Sequence, residues 1–254
     1  MKALIKIIAV VCMVMAYATM KADTKFADET LHYVITYKWG LITKDSGDAT
    51  LSLKNQGSRY YIKLTGKTRP WADDLFQVRD TLVSVMDKNK FRPLSYTKIA
   101  HEGGKYGKDV IEYSYSGSDV SGKATKYREK KGKTSTDSFE LSASGDTFDM
   151  LSVFYWFRSI DPLTMPIGKK ITATLFSGSH EETVKIWKVG EQTIKMRDGS
   201  KRAAWHVKLT FTSKGGKKTS DDIDVWISKD DSRIPLQIKG SLPLGHVNAY
   251  LVNS

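Results

Sequence analysis

The sequence contains a single cysteine, Cys12, which lies in an N-terminal segment that has the pattern of a cleaved leader. The rest of the chain therefore has no thiol for a disulfide, a metal–thiolate site or a cysteine nucleophile. Beyond the N-terminus, no apolar run approaches the roughly 20 residues that a membrane-spanning helix needs. A chain of 254 residues can dispense with disulfides, because it is long enough to bury a substantial core.

The N-terminal segment is predicted to be a secretory signal peptide. Lys2 and Lys6 precede a short apolar stretch, Ile7–Met15, and small residues follow it. Cleavage after Ala18 or after Ala22 fits this pattern, and Ala22 is favoured. We therefore expect a signal peptide at 1–22 and a single β-rich domain at 23–254.

The same segment does not have the pattern of a lipoprotein signal. A lipidated cysteine follows a small residue, whereas Val11 precedes Cys12. The mature protein is accordingly expected to be exported without a lipid anchor, and to be periplasmic or associated with the outer envelope.

Motifs for catalysis or metal binding are also lacking. None of the histidines has the HExxH spacing that places two of them on one helical face, so they are interpreted as isolated surface residues: His32, His101, His180, His206 and His246. The acidic pair Asp230–Asp231 lacks the glycine and glutamate of a calcium loop and is typical of a turn. The sequence predicts no metal, no cofactor and no identifiable catalytic residue.

The charge is strongly positive, at +12, and lysines cluster at 130–133 and 214–218. Such a balance suits anionic surfaces. Nucleic acid is not expected as a partner of an exported protein, which leaves an anionic envelope surface or a lipid-like ligand. Solvated faces and lysine-protected sheet edges are the plainer interpretation of the same charge.

Alternation of apolar and polar residues dominates the rest of the chain. It is clear in Leu31–Tyr37 and Ile111–Tyr115, and it recurs in Ile223–Ile227 and Ile234–Ile238 on either side of a turn. Alternation with a period of two indicates half-buried strands, and short turns between them indicate antiparallel hairpins.

One stretch does not alternate. Phe148–Arg158 is apolar around most of a helical surface, Asp146 is placed to cap its start, and Asp161–Pro162 is placed to end it. A helix of that kind is expected to be buried on more than one side. The predicted fold is therefore mainly β: a large curved antiparallel sheet or barrel-like sandwich packed around one central α-helix at about 147–160.

A few polar residues accompany this helix and the C-terminal hairpin. Asp149, Ser152 and Arg158 lie near one side of the helix, and Arg158 was expected to pair with Asp224 or Asp230. No histidine lies close in sequence to serve Ser152 as a base. These five residues are interpreted as a structural polar cluster that satisfies a buried helix.

Tryptophans are the remaining candidates for a ligand site, because an indole suits both cores and ligand grooves. The sequence offers Trp39, Trp71 and Trp226 as candidate ligand-binding residues, and Trp71 is expected near the surface because it follows a proline and precedes two aspartates.

Several stretches, taken in order, resemble the bacterial exported family called domain of unknown function 3108. They are YKWGLITKDSGDATL near the start, LFQVRDTLVSVMD, the helix DTFDMLSVFYWFR, and VWISKDDSRIPLQIKG followed by Gly245. The family's helix motif falls on Asp149, Ser152 and Arg158, and its hairpin motif falls on Trp226, Ser228, Asp230, Arg233 and Pro235. The resemblance implies export and fold, and it implies no activity.

The function expected from these observations is non-enzymatic binding of a lipid-like or otherwise hydrophobic molecule, or of an envelope partner, in the concavity of the sheet. A periplasmic hydrolase of envelope glycans or esters and a structural assembly factor are the alternatives. The hydrolase requires titratable groups that converge in a cleft, and the assembly factor requires a large exposed apolar patch.

Overall fold

The structure is a computed structural model that describes residues 26–213, 221–241 and 245–253. The predicted signal peptide and the second lysine cluster, 214–218, lie outside these ranges. In the described residues the chain forms fifteen strands and two α-helices. The strands are β1 (Glu29–Trp39), β2 (Ile42–Gln56), β3 (Arg59–Thr68), β4 (Val78–Asp87), β5 (Arg92–Glu102), β6 (Lys105–Ser116), β7 (Asp119–Lys130), β8 (Lys133–Ser144), β9 (Thr147–Phe148), β10 (Lys170–Ser177), β11 (His180–Lys195), β12 (Lys201–Ser213), β13 (Ile223–Ser228), β14 (Pro235–Ser241) and β15 (His246–Asn253); the helices are α1 (Pro70–Phe76) and α2 (Ser152–Ser159), with a 3₁₀ turn at Pro162–Thr164.

All fifteen strands belong to one sheet, in the order β8-β7-β6-β5-β4-β3-β2-β1-β15-β14-β13-β12-β11-β10-β9. Strands that follow each other in sequence are paired as antiparallel hairpins within β1–β8 and within β10–β15. The first and last strands join these two halves, with Tyr33 opposite Leu251. The only parallel pair among the described strands is β9 with β10. The prediction of a mainly antiparallel β-fold is confirmed.

The two ends of the sheet approach each other. The backbone N–H of Ser142 on β8 donates to Glu181 Oε1 on β11 over 3.0 Å. Gly122 on β7 lies against the ring of Phe176 on β10, so close that a Cβ there would come within 2.7 Å of the ring. The sheet is therefore strongly curved and nearly closed, as the twist of a sheet this wide favours.

Helix α2 packs against apolar side chains of both halves. Leu151 and Tyr155 belong to a core cluster built mainly from β1–β8, and Val153 and Phe157 belong to a second cluster built from β10–β13. Two-sided contact explains why so little of the sequence around the helix is polar.

The helix is shorter than predicted. Thr147–Phe148 forms β9, where Phe148 pairs with Leu175 of β10, and the α-helix begins only at Ser152. The expected cap, Asp146, is replaced in that role by Asp149. The helix ends at Ser159, two residues before the predicted end at Asp161–Pro162. Asp161 accepts a hydrogen bond from the backbone N–H of Leu163 at the start of the 3₁₀ turn.

Helix α1 was missed. Pro70 occupies the first turn of this short helix, where its missing N–H costs nothing. The helix leaves Leu75 and Phe76 exposed at the edge of the sheet. Among the described residues, no helix has the length and hydropathy that a membrane span requires.

Candidate functional site

Asp149 lies just before α2 and is completely buried. Its Oδ1 accepts from the backbone N–H groups of Leu151 (2.8 Å) and Ser152 (2.9 Å), and its Oδ2 accepts from the Ser84 hydroxyl (2.7 Å). In return its own N–H donates to Ser152 Oγ over 2.8 Å. This reciprocal arrangement satisfies the free N–H groups at the start of the helix and ties α2 to β4.

Burial raises the pKa of the Asp149 carboxyl, and the hydrogen bonds from Ser152, Ser84 and Leu151 offset part of that rise. The donors to its carboxylate are the Ser84 hydroxyl and the backbone N–H groups of Leu151 and Ser152. The Asp149 side chain has no exposed surface. Asp149 and Ser152 therefore act as a buried cap. They are not available to a substrate.

Arg158, at the other end of α2, is also buried, and its partner is Glu29 on β1. Arg158 Nη1 donates to Glu29 Oε1 over 2.5 Å and Nη2 to Oε2 over 3.0 Å, while Tyr155 donates to the same carboxylate over 2.8 Å. The expectation of Asp224 or Asp230 as the paired carboxylate is wrong. Burial opposes the guanidinium charge, but Glu29 outweighs burial and the pKa of Arg158 stands above its ordinary value.

The turn between β13 and β14 is hydrogen-bonded to the C-terminal end of α2, where Arg158 lies. Arg158 Nη2 donates to the Ser232 carbonyl over 2.7 Å, and Arg233 Nη1 donates to the carbonyls of Arg158 (3.2 Å) and Ile160 (3.3 Å). Arg233 therefore covers carbonyls that the helix itself leaves free.

The turn itself is held by Asp230. Its Oδ1 accepts from the hydroxyls of Ser228 (2.8 Å) and Ser232 and from the Ser232 N–H (3.1 Å). Arg202 of β12 bonds the other oxygen over 3.0 Å. Ser228, Asp230 and Ser232 thus shape one turn so that it can hold α2.

Asp224 belongs to a different group. Its Oδ1 lies 2.6 Å from His206 Nε2 and 3.7 Å from Lys208 Nζ. His206 stacks on Trp226, with ring centroids 4.9 Å apart and planes at 6°, and Trp226 donates to Gln192 Oε1 over 2.6 Å. The interpretation of His206 as an isolated surface residue is wrong, because its ring is buried between a carboxylate and an indole.

The three candidate tryptophans lie in three different settings. Trp226 is part of the stack just described. Trp71 is half-buried on α1, where its indole N–H donates to the Asp45 carbonyl over 2.8 Å and Lys44 Nζ lies 4.1 Å from the ring centroid. Trp39 is exposed at the end of β1. The structure does not bring them together into one site.

A second set of titratable groups lies on strands β4–β7. Lys98 Nζ is 3.8 Å from Asp80 Oδ2 and 3.5 Å from Glu102 Oε1. Burial and a hydrogen bond with Glu102 raise the pKa of Asp80. Arg128 and Asp109 form an adjacent ion pair at 2.5 Å, and four of these five residues line a cavity of about 170 Å³: Lys98, Glu102, Asp109 and Arg128.

Glu102 lines this cavity and Asp80 lies beside it, and a carboxyl group whose pKa is raised is suited to act as a general acid. No sequence motif predicts this arrangement, because carboxyl groups that meet across strands have no fixed spacing along the chain. Among the described residues, no group of three or more His, Asp and Glu side chains is arranged to hold a metal ion.

An apolar groove of about 90 Å³ lies between α2 and the sheet. The helix side contributes Met150, Val153, Phe154 and Phe157, and strands β11–β13 contribute Val184, Ile186, Val207, Leu209, Phe211 and Val225. Met150 is partly exposed and marks the mouth. Every lining residue is apolar, so the groove offers burial to a hydrocarbon and no hydrogen-bond partner from a side chain.

The fold resembles that of a solved structure. The chain is similar to a solved structure described as a beta-barrel-like protein of domain of unknown function DUF1849 from Brucella abortus, with a TM-score of 0.60 and 12% identity over 90% of this chain and 97% of that chain. At that identity the likeness concerns the fold alone. A comparison with curated proteins finds no match.

The family of the chain is assigned from its sequence. The model of the protein family of unknown function DUF3108 matches residues 32–252, and the chain belongs to this family. The match spans β1 to β15 and so includes both the α2 motif and the turn that holds it.

Proposed function

We propose that the protein is an exported, non-enzymatic component of the cell envelope that binds an apolar chain of a lipid-like molecule between α2 and the sheet. In this proposal α2 occupies the concavity of the sheet and forms one wall of a groove. The observation that carries the proposal is the composition of the groove: ten lining residues, contributed by the α2 region and by strands β11–β13, all of them apolar. The N-terminal signal pattern supports export.

The volume of the groove limits what it holds. Pockets that enclose a drug-sized ligand measure roughly 300–1,000 Å³, whereas this groove measures about 90 Å³. It accommodates the end of a hydrocarbon chain, and the headgroup stays outside beyond Met150. A longer buried segment requires α2 to shift away from β11–β13.

Titration with a dansyl-labelled undecanoic acid, below its aggregation concentration and without vesicles, tests the proposal. The wild type is expected to bind the probe saturably with a blue shift of dansyl emission. Met150→Asp places a charge at the mouth and should weaken binding by about tenfold, which corresponds to about 1.4 kcal/mol. Leu163→Asp is the matched control, because Leu163 is an exposed apolar residue outside the groove, and it should bind like the wild type. Absence of saturable binding, or equal loss in both variants, would overturn the proposal.

A hydrolase of envelope glycans or esters is the second candidate, and the Asp80–Glu102 pair beside the 170 Å³ cavity is the observation that favours it. Asp149 and Asp224, which the sequence offered, are engaged in the fold and do not serve it. Release of acyl or glycosyl product that stops in both Asp80→Asn and Glu102→Gln, with unchanged thermal unfolding, would favour this candidate over the first. A purely structural assembly factor predicts neither probe binding nor turnover.

A further inference from the structure

The hairpin turn between β1 and β2 carries three exposed large apolar side chains, and one of them, Leu41, is the most exposed large apolar side chain of the described residues. Trp39 is 56% exposed, Ile42 is 59% exposed and Leu41 is fully exposed. The three follow one another around Gly40, whose positive φ of 56° makes the tight turn. A contiguous apolar tip of this kind on an otherwise polar edge marks an interaction site.

The tip projects beyond its neighbours in the sheet. Pairing of β1 with β15 ends at Lys38 opposite His246, and pairing of β2 with β3 ends at Gly47 opposite Thr68. The β1–β2 pairing continues to Trp39 opposite Ile42. Trp39, Leu41 and Ile42 therefore lie past the last hydrogen bonds to either adjacent strand, and the described residues leave all three exposed.

The surrounding edge is basic. In a run of antiparallel hairpins, every second turn lies at the same end of the strands. The β1–β2 tip therefore lies at the same end as α1, the β5–β6 turn and the β7–β8 turn, and this end of the strands is called the lysine-rich edge. Exposed lysines lie beside the tip and at these turns: Lys38, Lys44, Lys105, Lys130, Lys131 and Lys133. Leu75 and Phe76 of α1 add exposed apolar surface to the same edge.

We infer that this edge docks on the surface of an anionic phospholipid bilayer, with Trp39, Leu41 and Ile42 inserted at the level of the headgroups and the lysines against the lipid phosphates. Tryptophan favours this interface because its ring is apolar and its N–H is polar. A bilayer surface suits the combination better than a protein partner does, because insertion of a narrow tip needs no shape-matched pocket and each lysine adds attraction to any anionic headgroup. The inference concerns a surface separate from the α2 groove and does not depend on it.

Flotation with vesicles of phosphatidylglycerol and phosphatidylcholine, and with vesicles of phosphatidylcholine alone, tests the inference. The wild type is expected to float with the anionic vesicles and to be released by salt. The tip variant W39S/L41S/I42S should bind at least about tenfold more weakly, because it removes three apolar side chains. The variant K130Q/K131Q/K133Q should lose about fivefold for each lysine that contacts the surface.

The matched control is L163S/I167S. Leu163 and Ile167 are also exposed and apolar, but they precede Lys170 at the start of β10, whose other end, Ser177, lies toward the lysine-rich edge. This control should float like the wild type. All proteins are prepared identically, so that residues 1–22 contribute equally to every comparison, and circular dichroism and thermal unfolding check that each variant is folded.

Three results would overturn the inference. The wild type would fail to float with anionic vesicles, or the tip variant would float as well as the wild type, or the tip variant would abolish a dimer seen by light scattering while vesicle binding is absent. The last result would assign the tip to contact between two copies of the chain.

Discussion

Removal of Arg158 from its ion pair with Glu29 should destabilise the protein strongly, and this can be tested directly. The perturbation is Arg158→Met, which keeps the length and apolar volume of the side chain and removes the charge. The guanidinium is 1% exposed and makes three hydrogen bonds, two to Glu29 and one to the Ser232 carbonyl. Its removal leaves a carboxylate and a carbonyl without their main donor.

The magnitude follows from this geometry. Breaking a buried ion pair by removing one partner costs about 3–5 kcal/mol. The Glu29 side chain keeps 17% of its surface exposed and retains the Tyr155 hydroxyl as a donor. Solvent and Tyr155 therefore stabilise part of the remaining charge, and we expect a loss near about 3 kcal/mol in the free energy of unfolding.

Urea unfolding followed by tryptophan fluorescence and far-UV circular dichroism measures this loss. The matched control is Lys54→Met, because Lys54 pairs with Asp28 at 3.3 Å with both side chains about half exposed, and exposed pairs contribute little to stability. The double variant E29M/R158M should be no less stable than R158M alone, because it also removes the unpaired carboxylate. A loss in R158M no larger than in the Lys54 control, or a double variant that shows the sum of the two single losses, would refute this reasoning.

Three further predictions concern the residues that hold α2 and close the sheet. Asp149→Asn keeps an acceptor for the backbone N–H groups but cannot ionise. Because burial raises the folded-state pKa of Asp149, the wild type gains stability as pH falls from above that pKa toward the unfolded value. The unfolding free energy of the variant minus that of the wild type should therefore fall from neutral pH to about pH 4 in urea titrations. A flat difference would contradict this. Gly245→Ala should lower the free energy of unfolding by at least about 2 kcal/mol, because φ is +97° and a Cβ would lie 2.2 Å from the Lys38 carbonyl oxygen. The control Gly66→Ala has open space around it and should change the free energy of unfolding by less than about 1 kcal/mol in the same thermal or urea experiment. Arg233 has φ of 46°, so Arg233→Gly should be more stable than Arg233→Ala by about 1 kcal/mol even though both lose the bonds to α2; equal stabilities would show that the left-handed conformation carries no cost.

The strands were predictable because their signal is local. Ile223, Val225 and Ile227 alternate with polar residues, and a period of two indicates a half-buried strand without knowledge of its neighbours. The hairpin with β14 followed from the turn residues between the two runs. Strand lengths were less predictable, since β7 and β8 continue through polar residues that the sheet accepts at its exposed edge.

The start of α2 was not predictable from periodicity. Phe148 is apolar in a helix and apolar in a strand, and its pairing with Leu175 decides between them. That contact crosses a long stretch of sequence. Asp149 lies before the helix and caps it in place of Asp146, and that role depends on where the strand ends.

The partners of the buried polar groups were the least predictable feature. Glu29 lies 129 positions from Arg158 and carries no local signal. Ser84 did carry one, because it alternates with Leu82 and Met86 on β4 and so places a hydroxyl on the core side of a strand. A polar residue at an inward position implies a buried partner, and Asp149 was the unassigned candidate.

The groove between α2 and the sheet is the central element of the proposed function, and native mass spectrometry of the protein purified from a periplasmic fraction tests it most directly. The account predicts a non-covalent adduct with the mass of a lipid-like molecule, which organic solvent releases and which is depleted in Met150→Asp but retained in Leu163→Asp. Recovery of the unliganded mass alone from the wild type, or an adduct equally abundant in both variants, would contradict it.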